Sequence, residues 1–289
     1  MPKMLWHTRN LFGRQNHLYP VERGLRMELD EQQLYQWWYA INYAGYELVL
    51  LCTRLLKSGD IVMDVGANIG YISMNAARLV GGSGRVYAFE PSDATYQHLL
   101  TNITLNGLSN IIPCQLAISD RVGTASFNVA TDAGLSRLDN TAGNDFGMVL
   151  AERTTVKVDT LENVWRTAIA GRNVKLIKMD IEGHEMSALR GGAALLKDGC
   201  EYVISEINAG ALLQNGVRLA DMVEFMKGLG YESYWIKGHT ADWLRFSRLP
   251  TITRITVADT AANPSGEILF VKDRTVYSFR EFCRDLLTE

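Results

Sequence analysis

The chain of 289 residues lacks an excess of charge of either sign: 29 Lys and Arg stand against 32 Asp and Glu, a formal net charge of −3. It therefore has no global basic footprint for nucleic acid, and a nucleic-acid partner is not expected. Cysteine is sparse. Cys52, Cys114, Cys200 and Cys283 lie far apart, with no CxxC pair. That argues against a zinc knuckle, gives no sign of a disulfide framework, and points to free buried thiols in a reducing cytoplasm. Long apolar runs are missing as well. The longest, around Leu48 to Leu51, is far too short to span a bilayer. The opening MPKMLWHTRNLFGRQNH has no apolar core of signal-peptide type. A soluble, cytoplasmic protein with no membrane partner is expected.

What is present is ordinary for a globular enzyme: 47% apolar and 21% charged residues, in a chain long enough for one large domain or a domain with an appendage. From about Asp60, short apolar runs alternate with helical stretches. DIVMDVG, RVYAFEP, NIIPCQLAI, VKLIKMD and EYVISEI read as strands, while Tyr71 to Val80, Asp93 to Asn106, Ser187 to Lys197 and Leu219 to Leu229 carry helical spacing. Such alternation implies a parallel sheet covered on both faces, which binds ligands beyond the strand carboxyl ends. Two regions break the rhythm. Residues 1–58 read as helical, with Trp37, Trp38, Tyr39, Tyr43 and Tyr46 as a packed helix or a lid over a substrate. Residues 124–160 read as a strand-loop-strand insertion, ASFNVA and TTVKV flanking a Gly- and Asp-rich loop that could close over a site. Arg245, Arg248 and Arg254 beside Trp243 and Phe246 form a solvated face or a contact for an acidic or planar substrate.

The first strand ends in DVGANIG and opens the helix YISMNAARLV. Gly66 and Gly70 permit a sharp turn and close backbone approach, and Asn68 tolerates left-handed angles, but the GxGxxG spacing of a dinucleotide site is absent. Asp64 at this strand end would repel a pyrophosphate and suit a cationic ligand such as S-adenosylmethionine. Glu90-Pro91 ends the second strand, at the right distance for an acid that accepts hydrogen bonds from a ribose diol. A turn that binds nothing and a nicotinamide oxidoreductase are the disfavoured readings.

The run GDIVMDVGANIGYISMNAARLVGGSGRVYAFEPSDATYQHLLTNITLNGL, then VDTLENV and IKMDIEGHEMSALRGG, resembles the S-adenosylmethionine-dependent methyltransferases of the FkbM family, from about Tyr46 to Trp235. The resemblance implies an α/β, Rossmann-like class I methyltransferase: a seven-stranded, mostly parallel sheet with helices on both faces. Residues 1–58 would add an N-terminal helical cap to a 59–289 methyltransferase domain. It implies methylation of a hydroxyl on a sugar or natural product. Asp64, Gly66, Ala67, Asn68, Gly70, Tyr71, Glu90, Pro91, Ser92, Ala117 and Ile118 would hold the cofactor, and Tyr46 and Glu47 would lie near it. By periodicity alone, those last two equally suit a helix surface.

The acidic stretch KMDIEGHE, Lys178 to Glu185, ends the fourth strand, where the catalytic crevice should lie. Three readings stay open. Asp180 or His184 is a general base for a hydroxyl; or Asp180, Glu206 and Asn208 supply oxygen ligands for magnesium; or the acids are structural. The third suits Glu185, at a helix start where negative charge is favoured, and makes Lys178 an ion-pair partner. Asp180, Glu182, His184 and Glu206 are the expected transfer-site residues. The absence of an Asn/Asp-Pro-Pro-aromatic motif makes methylation of nucleobases or glutamine unexpected. An O-methyltransferase for a small hydroxylated molecule leads. An N-methyltransferase acting on an amine or peptide and a catalytically silent S-adenosylmethionine-binding module are its rivals. The acceptor and the oligomeric state, a homodimer included, stay open.

Overall fold

The computed structural model describes residues 17–21, 24–30, 36, 45–131, 133–139, 149–237 and 250–288. Trp37, Trp38, Tyr39, Tyr43, Trp243, Arg245, Phe246 and Arg248 lie outside them. The elements are β1 His17–Val21, β2 Leu25–Leu29, α1 Tyr46–Leu55, β3 Ile61–Val65, α2 Tyr71–Val80, β4 Arg85–Phe89, α3 Asp93–Leu105, β5 Ile111–Cys114 and β6 Ala117–Ser119. Next come β7 Gly123–Ala130, β8 Arg137–Leu138, β9 Leu150–Thr160, α4 Leu161–Thr167, β10 Val174–Met179, α5 Glu185–Gly191, α6 Ala193–Asp198 and β11 Cys200–Ile207. The chain continues with α7 Ala209–Gln214, α8 Leu219–Gly228, β12 Tyr231–Lys237, β13 Thr251–Ile255, β14 Gly266–Lys272, α9 Val276–Phe282 and β15 Leu287–Thr288.

The main sheet runs β15-β13-β12-β14-β11-β10-β3-β4-β5. From β5 to β11 every pairing is parallel; β14 is then antiparallel to both β11 and β12. The expected α/β alternation is present, but the sheet is mixed and has nine strands among the described residues rather than seven. β13 and β15 extend it past β12. Burial explains the arrangement: all five residues of β3 are buried, because helices cover both faces. Val62 joins the core under α1, α2 and α3, while Ile61, Met63 and Val65 join the core under α4, α5 and α8.

Three expectations change. NIIPCQLAI is two strands, with Gln115 and Leu116 between them: β5 stays in the main sheet, and β6 leaves it to pair with β9. The helix read over Ser187 to Lys197 is two helices meeting at Gly192, because the backbone there is crowded. A Cβ on Gly191 would lie 2.1 Å from the Ser119 carbonyl oxygen, and one on Gly192 2.9 Å from Leu161. The region read as wholly helical contains β1 and β2, an antiparallel pair that buries Leu25, Met27 and Leu29 on alternate positions. The insertion is the expected antiparallel pair, β7 against β9, in a second sheet ordered β6-β9-β7-β8.

The contact that fixes the site is between β3 and β10. Gly66, at φ 78°, lies so close to the end of β10 that a Cβ would fall 1.9 Å from the Asp180 carbonyl oxygen. We expect Gly66→Ala to cost about 3 kcal/mol or more in a thermal melt, through lost φ freedom and forced separation of the strand ends. Gly82→Ala, in open space, is expected to stay within about 0.5 kcal/mol. Equal losses for the two would refute this assignment.

Candidate active site

The strand carboxyl ends open into a cleft. Gly66, Asn68, Glu90, Pro91, Ala117 and Ile118 line it on the side expected to hold cofactor, and Asp180, Glu182 and His184 on the side expected to carry out transfer. The sequence thus brings most of its candidates into one cavity. Asp64, Ala67, Gly70, Tyr71, Ser92 and Glu206 do not line it, and Glu47 lies on α1.

Glu90 is built to accept hydrogen bonds. Asn68 N–H donates to its Oε2 at 3.1 Å and Ser92 N–H to its Oε1 at 2.9 Å. Burial pushes its carboxyl up to about 7, against the pull of those two amides. The turn before it is held in left-handed geometry at Gly66, Asn68 and Gly70, with φ of 78°, 51° and 96°.

Asp64 is placed differently from its expected ligand-facing role. It is fully buried, and Ser73 Oγ donates to its Oδ2 at 2.5 Å. Its charge is answered by Lys178, opposite it in the parallel register, whose Nζ lies 3.6 Å from Oδ1. Lys178 also donates to the Gly66 carbonyl at 3.1 Å and to Asp180 Oδ2 at 3.4 Å. Burial opposes the lysine charge, but the carboxylates of Asp180, Asp64 and Glu206 outweigh it and push its pKa up. The expected ion pair therefore exists, and its partners are Asp64 and Asp180 rather than the helix-start acids.

Beyond Asp180 the chain makes a strained turn. Glu182 and Gly183 have φ of 53° and 96°, and a Cβ on Gly183 would meet the Ala211 backbone at 2.6 Å. Glu185 clasps this turn, accepting from Ile181 N–H at 3.1 Å and Gly183 N–H at 3.2 Å through one oxygen. Burial pushes its carboxyl up to about 7. The structural reading of Glu185 was right in kind, and its targets are backbone amides. Glu206, exposed at the end of β11, has its carboxyl pKa pushed upward first by Asp180, then by desolvation, Glu182 and Glu267. Glu267 faces it in register on β14.

Asn208, read as a possible metal ligand, has its carboxamide engaged within the protein. Its Oδ1 accepts from Ala211 N–H at 3.2 Å, capping α7, and its Nδ2 donates to Glu182 Oε2 at 3.0 Å. Among the described residues no group of three or more His, Cys, Asp or Glu could hold a metal ion. His184 Nε2 lies 2.9 Å from Ser119 Oγ, and burial lowers its pKa, with Asp120 opposing. The imidazole is thus neutral near neutral pH.

Sequence reasoning missed the contribution of the insertion: Phe127, Ser136, Arg137 and Leu138 complete the cleft wall. The Gly- and Asp-rich loop gave the only hint. Arg254, from the arginine cluster, pairs with Glu232 at 2.9 Å, away from the cleft.

Residues 64–233 match the family model described as the methyltransferase FkbM domain. The chain belongs to the FkbM methyltransferase family. FkbM relatives include the hexuronic acid methyltransferase AglP of Haloferax volcanii, 26% identical over 57% of this chain and 62% of that one. Another is the 31-O-demethyl-FK506 methyltransferase FkbM of Streptomyces tacrolimicus, 28% identical over 61% and 74%. The match to methyltransferase sdnD of Sordaria araneosa is 27% identical and spans 47% and 61%. The chain thus matches about three fifths of the length of AglP and sdnD. Aeropyrum pernix fibrillarin, solved with S-adenosyl-L-methionine, is loosely similar: TM-score 0.41, 13% identity, 79% of this chain and 75% of that one. All four cysteines are free, and no helix among the described residues is long and apolar enough to cross a membrane.

Removing Lys178 tests the electrostatics of this FkbM site. Lys178→Met leaves Asp64 uncompensated, and we expect a loss of about 3–5 kcal/mol in urea denaturation at neutral pH. Burial already raises the Asp64 pKa, so without Lys178 the folded state prefers the protonated acid. The deficit should therefore shrink in acid and grow as pH rises through the carboxylate range. A deficit independent of pH would contradict the pairing.

Proposed function

We propose that this chain O-methylates a hydroxyl on a sugar or natural product. The observation behind this reading is that Asp180 and Glu90 line one cleft with Gly66, while Glu206, outside that lining, interacts with the Asp180 carboxylate. A hydroxyl acceptor must lose a proton as the methyl arrives, and a base whose pKa lies near the working pH is the most effective. The Glu206 carboxyl has a raised proton affinity, chiefly because the Asp180 carboxylate lies near it. Hexuronic acid and FK506, named for two relatives, are hydroxylated molecules of the proposed class.

The residues suit the cofactor. Glu90 presents a carboxylate already held by two backbone amides, ready for a ribose diol. Ile118 supplies an apolar wall for the base, and Gly66 lets a ligand reach the backbone. Asp64 contributes at second hand, through Lys178. S-adenosylmethionine, when bound, supplies an electrophilic methyl group. The protein positions the acceptor in line with it and takes its proton at a carboxylate oxygen. His184, neutral and packed on Ser119, serves here as a wall residue rather than the first base. The proposal keeps residues 1–58 as an appendage to a 59–289 catalytic domain in the cytoplasm.

N-methylation of an amine is the second reading. One observation favours it: Glu182, Glu206 and Glu267 join Asp180 near a single lysine, a field that attracts a cation.

Two measurements test the leading reading. Calorimetry should show S-adenosylhomocysteine binding that strengthens as pH rises toward about 7, because burial holds the Glu90 pKa at about 7 and the ribose hydrogen bonds need the ionised form. Binding then releases a proton. No binding at all would sink the site assignment. With hydroxylated sugars, uronic acids and macrolides as acceptors, Glu206→Gln should lower kcat about a hundredfold and remove the acidic limb of the pH profile. Turnover on amines alone would favour the second reading.

A further inference from the structure

The N-terminal hairpin lies outside the matched family region, yet it is bonded to the helix behind the cofactor turn. Arg26 N–H donates to Asn106 Oδ1 at 2.9 Å, and Asn106 Nδ2 donates back to the Arg26 carbonyl at 2.7 Å. One turn earlier on α3, Glu28 N–H donates to Asn102 Oδ1 at 2.7 Å, and Asn102 Nδ2 returns to the Glu28 carbonyl at 3.3 Å. Each carboxamide thus closes both backbone bonds of one strand residue, as a neighbouring strand would. The spacing permits it. One helical turn rises about 5.4 Å and two strand residues about 6.6 Å, so side chains four apart on α3 can meet alternate residues of β2.

Asn102 makes one bond that Asn106 does not. Its Nδ2 also donates to the Ile69 carbonyl, at 3.0 Å. Asn102 is fully buried, and its carboxamide spends one acceptor and two donors at this point. Aspartate lacks the donors, leucine lacks both functions, and glutamine is a methylene longer. Ile69 follows Asn68, whose N–H is bonded to Glu90, within the turn that has left-handed geometry at Gly66, Asn68 and Gly70. Such a turn persists only when its surroundings hold it.

We propose that Asn102 is a positioning residue for the cofactor: it ties the backbone of β2 to Ile69, so that the N-terminal hairpin braces the 66–70 turn from behind. The proposal rests on the reading that this turn holds S-adenosylmethionine. It gives the appendage a role in cofactor affinity, on the face of the turn opposite the acceptor. Leu25, Met27 and Leu29 seat the hairpin in the same core as Met74 of α2 and Leu99 of α3, so the brace has a rigid backing.

The test compares Asn102→Ala with Asn106→Ala, using S-adenosylhomocysteine calorimetry and melting temperature. Asn102→Ala should weaken binding about tenfold, the size of one lost buried hydrogen bond. Asn106→Ala, which loosens the hairpin without touching Ile69, should stay within about twofold even where its melting temperature falls. Equal affinity losses that track melting would overturn the proposal. Should Asn102→Ala fail to fold, hydrogen exchange on the wild-type chain decides. Adding S-adenosylhomocysteine should slow exchange at the Arg26 and Glu28 amides, and unchanged rates would overturn it. A wild-type chain that binds no S-adenosylhomocysteine defeats the cofactor reading and the brace together; binding without either effect defeats the brace alone.

Discussion

The site depends on one buried cation. Lys178 reaches Asp64 at 3.6 Å, Asp180 at 3.4 Å and the Gly66 carbonyl at 3.1 Å. A lysine alone in this interior would shed its proton, and Asp64 alone would keep one, because desolvation penalises whichever form is charged. Together each offsets part of the other's desolvation, and the parallel register that sets Lys178 opposite Asp64 makes the pairing a consequence of strand order. The pair adds little net stability over a well-packed apolar alternative. Its value lies in geometry: one ammonium fixes the turn after β3 relative to the first acid after β10. The proposed cofactor side and transfer side therefore cannot drift apart independently.

Backbone crowding does the rest. Gly66 meets the Asp180 carbonyl, Gly183 meets Ala211, and Gly191 meets the Ser119 carbonyl, each closer than any Cβ would allow. These contacts bring the ends of β3, β10, β11 and β6 together. The Glu185 clasp then sets the course of the intervening turn. The acids that line the cleft are thus held largely by residues outside its lining, Gly183, Glu185 and Gly191 among them.

Much of this was legible in the chain itself. The strand-helix alternation, the α2 bounds and the Gly66-Asn68-Gly70 turn follow from local patterns, because the apolar runs and turn residues there agree with the tertiary fold. What stayed hidden depends on partners distant in sequence. No local feature of NIIPCQLAI says that its second half will pair with β9, 41 residues on. The β1–β2 hairpin closes its outer edge on Asn102 of α3 and on Asn106, the residue that caps its C-terminus, a pairing that sequence periodicity does not register. Asn208 has the composition of a metal ligand, and only the fold shows that α7 and Glu182 already occupy its carboxamide. Asp64 was read as facing a cation, correctly as to charge, but that cation is the protein's own Lys178.

The acidity beyond β10 has a physical rationale under the proposed chemistry. Methyl transfer to a hydroxyl moves a positive charge rather than creating one: the sulfonium charge disappears as a proton leaves the acceptor. A site that kept the proton nearby would hold its net charge constant through the step, avoiding the solvation cost of a large charge change in a partly dry cleft. Glu206, whose proton affinity is raised chiefly by Asp180, is suited to receive that charge. Its exposure lets water take the proton onward, while Lys178 pairs with Asp180 at 3.4 Å. The gradient from a paired acid inside to a proton-accepting acid outside gives the proton a direction of exit.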